Sequence, residues 1–156
     1  MVAMERMVLK LFGAWTELQA LMKDYTLFAR KGDAAREYAE RKTYPDDNIL
    51  NEYKKVVRRD WGVDFPHRLS EIYREAKSLR DRLAHMVDIG SVEGDEPHRV
   101  MTIVFSKGFE KHSDGIWYQA RYNEELLEKD LVKVLSNIGE AKRMLREIDR
   151  QGQARR

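Results

Sequence analysis

Apolar residues recur at helical spacing through most of the chain, and the period changes only once. Met4, Met7, Val8, Leu11, Phe12, Trp15, Leu18, Leu21, Met22 and Tyr25 form a broad stripe that predicts a long amphipathic helix from about Ala3 to Phe28. Lys31-Gly32-Asp33 reads as a stop and a new N-cap, and Ala34 to Lys42 as a short, highly charged helix ended by Thr43-Tyr44-Pro45. Pro45-Asp46-Asp47 opens the next helix with a proline and two acids, the residues that suit a helix start. That helix turns Ile49, Leu50, Tyr53, Val56 and Val57 inward and shows Lys54, Lys55, Arg58 and Arg59.

Trp61-Gly62-Val63 breaks the pattern, and Asp64-Phe65-Pro66 restarts it. From Phe65 a helix is expected to reach about Val87, with Leu69, Ile72, Ala76, Leu79, Leu83 and Met86 as its core stripe, and Asp88-Ile89-Gly90 stops it. Ser91 to Arg99, with Gly94, Pro97 and three acids, reads as a loop. The alternation in Val100–Phe105 and again in Ile116–Arg121 predicts two strands of a hairpin, about residues 99–121, with its tip between Ser106 and Gly115. Asn123-Glu124-Glu125 then starts a last long helix carrying Leu126, Leu127, Leu131, Val134, Leu135, Ile138, Ala141, Met144, Leu145 and Ile148. The expected fold is mainly α: an antiparallel helical bundle with a small β-hairpin inserted before the last helix. Residues 1–150 form a single domain on this reading, and 151–156 a flexible basic tail.

Composition narrows what such a bundle does. Charged residues make up 36% of the 156, but they nearly balance to a formal net charge of +2, so any contact with nucleic acid has to come from local patches. The absence of cysteine removes disulfides, thiolate catalysis and cysteine-based zinc sites, and fits a reducing cytoplasm. No stretch approaches the roughly 20 apolar residues of a membrane span. Glu5 and Arg6 interrupt the apolar start, which does not read as a signal peptide.

The chemistry concentrates in Ser78-Leu79-Arg80-Asp81-Arg82-Leu83-Ala84-His85-Met86. On a helix, Arg80 falls at the edge of the apolar stripe, while Arg74, Lys77, Asp81, Ala84 and His85 turn away from it toward solvent, a ligand or a second subunit. Asp81 and His85 are four apart and so neighbours on one face, where the carboxylate would orient the imidazole. Arg80 adds a planar, permanent cation suited to phosphate oxygens, and Ala84 leaves room for a close approach.

The string Leu79-Arg80-Asp81-Arg82-Leu83-Ala84-His85 resembles the catalytic motif of the HEPN superfamily: an Arg, a polar residue, a short spacer and a His late in a helix. The resemblance implies a HEPN-like helical fold and a dimer that cleaves single-stranded RNA without metal or cofactor. In that scheme Arg80 and His85 are the catalytic pair and Asp81 is the supporting polar residue; Arg74, Lys77, Lys54, Lys55 and Arg58 are the candidate RNA contacts, although a cationic helix end also suits the macrodipole and a solvated surface is the plainer explanation of Lys54, Lys55 and Arg58. Many HEPN ribonucleases are toxins of toxin–antitoxin or abortive-infection systems, which makes an antitoxin protein an expected partner. Some of those toxins carry a Tyr two residues after the motif His, modified by a partner nucleotidyltransferase; here that position is Val87. The family also has inactive members, so a non-catalytic dimerisation or RNA- or nucleotide-binding module is the alternative.

A metal-dependent hydrolase built on Asp81, His85, Asp88 and His98 or His112 is a further alternative, although no histidine pair stands at metalloprotease spacing. His67 reads as an early helix residue. There is no Gly-rich phosphate loop.

Overall fold

The computed structural model describes residues 2–29, 46–106 and 118–155. The charged helix expected at 34–42, the hairpin tip and the start of its second strand lie outside the described residues. Helix α1 spans Val2–Ala29, α2 spans Asp46–Lys55 and runs into a π-helical turn over Val56–Asp60, α3 spans His67–Ala84, and α4 spans Glu124–Ala154. Between α3 and α4 lie β1 (Met86–Glu93), β2 (Val100–Phe105) and β3 (Tyr118–Asn123), which form one antiparallel sheet in the order β1-β2-β3.

The core forms where the helical stripes meet. Leu11, Trp15, Leu18 and Met22 of α1, spaced four, three and four apart, are all buried, and they face Leu131, Val134, Ile138, Ala141 and Leu145 of α4. Helix α3 packs on both α1 and α4 through Leu69, Ile72, Tyr73 and Ala76. Helix α2 lies against α1 through Ile49, Leu50 and Tyr53. The sheet joins this core through Met101, Ile103 and Phe105, every second residue of β2.

The π turn closes α2 onto the residues that follow it. Val56 and Val57 are both buried, and their carbonyls are taken up by residues five and six further on. The turn widens so that the Trp61 N–H reaches the Val56 carbonyl at 3.1 Å and the Val63 N–H reaches Val57 at 3.0 Å. Lys54 and Lys55 before the pair, and Arg58 and Arg59 after it, are left on the outside.

Three sequence expectations change. Helix α3 stops at Ala84 rather than Val87, and the expected helix stop at 88–90 with the first part of the expected loop, 91–93, belongs to strand β1, so the inserted hairpin becomes a three-stranded sheet, while 94–99 are loop as expected. Register shifts between Met86 and Asp88 and between Ile89 and Ser91 break the alternation that would mark a strand. Met86 and Leu126, assigned to core stripes, are exposed.

The expected flexible tail at 151–156 is helical through Ala154. Gly152 is buried there because Trp61 lies across it: a β-carbon would fall 2.8 Å from the ring. Arg155 donates to the Gly62 carbonyl just beyond.

Candidate functional site

The end of α3 carries the motif, and the sheet fixes it. His85 is the C-cap residue, at φ −93° and ψ 3°, so the chain turns out of the helix at the histidine itself. Its carbonyl accepts the Ser106 N–H at 2.9 Å, and the next residue, Met86, pairs with Phe105. The imidazole is thereby mounted where helix becomes strand, partly exposed, on a backbone held from both sides.

One turn earlier, Asp81 gathers the cations. Its Oδ2 accepts from Lys77 Nζ at 2.8 Å and its Oδ1 lies 2.7 Å from an Arg80 guanidinium nitrogen. The Arg80 guanidinium also lies over the Trp15 ring of α1, 5.6 Å from its centroid. Trp15 in turn packs on Tyr73 at 4.5 Å between ring centroids, so Arg80 rests on a rigid aromatic floor.

This arrangement differs from the one expected of an unbroken helix. Asp81 is engaged by Lys77 and Arg80, while His85 has left the helix that would have made it a face neighbour of Asp81. Five residues of helix also separate Arg80 from His85 by about 140° around the axis. Arg80 leans toward α1, and His85 sits at the junction with the sheet. The chain therefore brings together Lys77, Arg80 and Asp81, with His85 one turn further on.

The expected RNA-contacting residues sort into two kinds. Lys55 is paired with Glu52 at 2.9 Å and Lys77 with Asp81. Lys54, half-buried over the Phe65 ring at 5.3 Å, is instead crowded by like charge. Burial first, and then the nearby Arg74 and Arg58, holds its ammonium below the usual lysine range. Lys54, Lys55, Arg58 and Arg59 line a groove of about 430 Å³ together with Asn48, Asn51 and Glu52. Sequence reasoning left Asn48, Asn51 and Arg59 out of the site. Their signal was present, since positions 48, 51, 55 and 58 to 59 share one helix face.

On the other side of His85 the surface is apolar. Met4, Val8, Leu9 and Phe12 of α1, with Leu83, Met86, Ile89 and Leu127, bound a groove of about 330 Å³. Leu9 is 67% and Met86 37% exposed, so this groove opens to solvent beside the motif.

Among the described residues no group of three or more His, Asp or Glu side chains is placed to hold a metal ion. His98 is near Glu125, 3.1 Å away, and His67 near Glu71, 3.3 Å away. His112 lies outside the described residues. No described helix is long and apolar enough to cross a membrane.

The chain matches no protein-family model, no curated protein and no solved structure.

Proposed function

We propose that the protein is a HEPN-like, metal-independent endoribonuclease acting on single-stranded RNA as a homodimer, with Arg80 and His85 as the reacting pair and Asp81 as the residue that positions Arg80. The observation that carries the reading is the motif string set whole at the end of α3, its histidine clamped by Ser106 and its arginine fixed by Asp81 and Trp15.

Cleavage by an RNA's own 2′-hydroxyl needs a base to take that proton while the oxygen attacks phosphorus. It also needs an acid to protonate the departing 5′ oxygen, and positive charge on the equatorial phosphate oxygens. The products are a 2′,3′-cyclic phosphate and a 5′-hydroxyl. One His85 acts as base and the other as acid, and the Arg80 side chains supply the charge. A two-fold axis brings both copies to one phosphate. The divergence of Arg80 and His85 on a single helix supports a site completed by a second chain. So does the exposed apolar groove beside His85, a surface of the kind another protein covers.

The test uses heterodimers. Wild-type chains mixed in equal amount with His85→Ala chains should give about a quarter of wild-type activity if both histidines serve one phosphate, against about a half if each chain works alone. EDTA should leave the rate unchanged, and DNA, lacking the 2′-hydroxyl, should survive. Equal RNA turnover by wild type and His85→Ala homodimers would remove the assignment.

The second reading is a non-catalytic HEPN-like dimerisation or RNA-binding module. It is favoured by the packing of Arg80 between Asp81 and the Trp15 ring, which gives that side chain a structural use.

A further inference from the structure

The cations on the far side of α3 from the sheet call for their own explanation. A basic helix end suits the macrodipole, and that accounts for Arg58 and Arg59 at the close of α2. It does not account for Arg74, which comes from the middle of a different helix and is near enough to Lys54 to act on its charge. Nor does general basicity account for them, because the whole chain carries only +2.

Neighbouring lysines show what this surface does when a cation is merely being solvated or paired: Lys55 has Glu52 and Lys77 has Asp81. Among the described residues no carboxylate is paired with Lys54, Arg58 or Arg74; Lys54 and Arg58 line one groove, and Arg74 and Arg58 both oppose the charge on Lys54. Such a cluster is relieved by a polyanion.

Geometry connects the cluster to the motif. Arg74 and Asp81 are seven apart, so their α-carbons follow one line along α3, with Lys77 beside it and His85 at the helix's C-cap. Eleven residues at 1.5 Å place His85 about 16 Å from Arg74, the rise of about five stacked nucleotides at ~3.4 Å each. In the groove of α2, Asn48 and Asn51 add amide donors and acceptors next to the cations.

We propose that the groove of α2 and its π turn, together with Arg74, holds the sugar–phosphate backbone of a single-stranded nucleic acid, with Arg74 about five nucleotides from the position of His85. Lys54, Arg58 and Arg74 contact phosphates, and Asn48 and Asn51 contact sugars or base edges. The five-nucleotide register rests on the RNA-cleaving reading; the binding itself does not.

The test is equilibrium binding of a fluorescent thymidylate dodecamer, a DNA strand that cannot undergo 2′-hydroxyl cleavage, followed by anisotropy between about 50 and 200 mM salt. The Lys54→Gln/Arg58→Gln/Arg74→Gln protein should bind about tenfold more weakly at the low end, with a salt dependence shallower by about two in the logarithmic slope, three contacts at ~0.7 each. Removing the same charge from exposed positions elsewhere, as Lys10→Gln/Lys133→Gln/Arg146→Gln, should change neither by more than about twofold. Circular dichroism of each variant separates weakened binding from lost folding.

Failure to bind by the wild type, or equal losses from both triple variants, overturns the proposal. The groove and the nuclease fail separately. RNA cleavage that depends on His85 together with DNA binding indifferent to the first triple refutes the groove alone. Binding that falls with the first triple, in a protein that cleaves nothing, supports the groove and refutes the nuclease.

Discussion

Arg80→Ala separates the catalytic from the structural use of the motif, because the two predict losses of different size. The structural loss can be worked from the contacts. The Asp81 ion pair, whose Arg80 side chain is 26% exposed, is worth up to about 1 kcal/mol after solvent screening, and the cation–π contact with Trp15 about 0.5–1 kcal/mol. Together they give about 1–2 kcal/mol. At about 2.1 cal/mol/K per residue, the 156-residue chain has an unfolding entropy near 0.33 kcal/mol/K, so the melting temperature should fall by about 3–6 °C. A domain that starts from about 5 kcal/mol of stability then stays about 99% folded at 25 °C. Loss of structure therefore cannot lower activity by a measurable factor. If Arg80 carries charge at the phosphate, cleavage of a labelled RNA should fall at least ~100-fold, or about 2.7 kcal/mol in barrier height. Differential scanning calorimetry and single-turnover cleavage on the same preparation measure both losses. A melting shift of the expected size with unchanged turnover would refute the catalytic role of Arg80 and leave the structural one.

Other consequences concern the frame that holds the motif. The Tyr53 hydroxyl is buried with no hydrogen-bond partner among the described residues, so Tyr53→Phe should raise stability by about 1–2 kcal/mol in a urea titration, and a loss of that size would show that the hydroxyl is satisfied. Gly152→Ala should destabilise, because overpacking against the buried Trp61 ring costs about 1–3 kcal/mol and exceeds the ~1 kcal/mol that alanine gains over glycine in a helix; a higher urea midpoint would contradict the packing described. Arg99, bonded to Glu124 at 2.6 and 2.8 Å, holds that carboxylate below its ordinary value of 4.5. Its folded pKa is depressed, so the stabilisation is present above pH 4.5 and lost as pH falls from there through the folded value. The melting gap between wild type and Glu124→Gln should accordingly be open at pH 7 and close in acid. A gap independent of pH would mean that the loop-to-helix contact is not electrostatic.

Much of this frame was legible in the chain, and the parts that were not share a cause. The stripes of α1, α2 and α4 and the alternation of β2 are local periodicities, and Asn123 caps α4 as its position suggests, its side chain accepting from the Leu126 N–H at 3.2 Å. Strand β1 escaped because its register shifts erase its period and its partner lies across a loop. The helical end at 151–154 escaped because nothing nearby in sequence announces that Trp61 will cover Gly152. Tyr73 escaped because an aromatic beside Arg74 does not declare that it will pack under Trp15.

The same distinction runs through the motif. Which residues are proposed to carry the chemistry can be read from the string Arg80 to His85, since residue type and spacing are local. How the charges are shared out cannot, because Lys55 and Lys77 differ from Lys54 and Arg58 only in what packs beside them. The early end of α3 has the largest consequence. A histidine inside the helix would sit over Asp81 as a ready-made pair, but a histidine at the cap has its backbone held by the sheet, through the Ser106 N–H and the pairing of Met86 with Phe105. The backbone at His85 is thus held by β2 and the residue after it, and the sheet that the sequence only half announces becomes the element on which the placement of the motif's end depends.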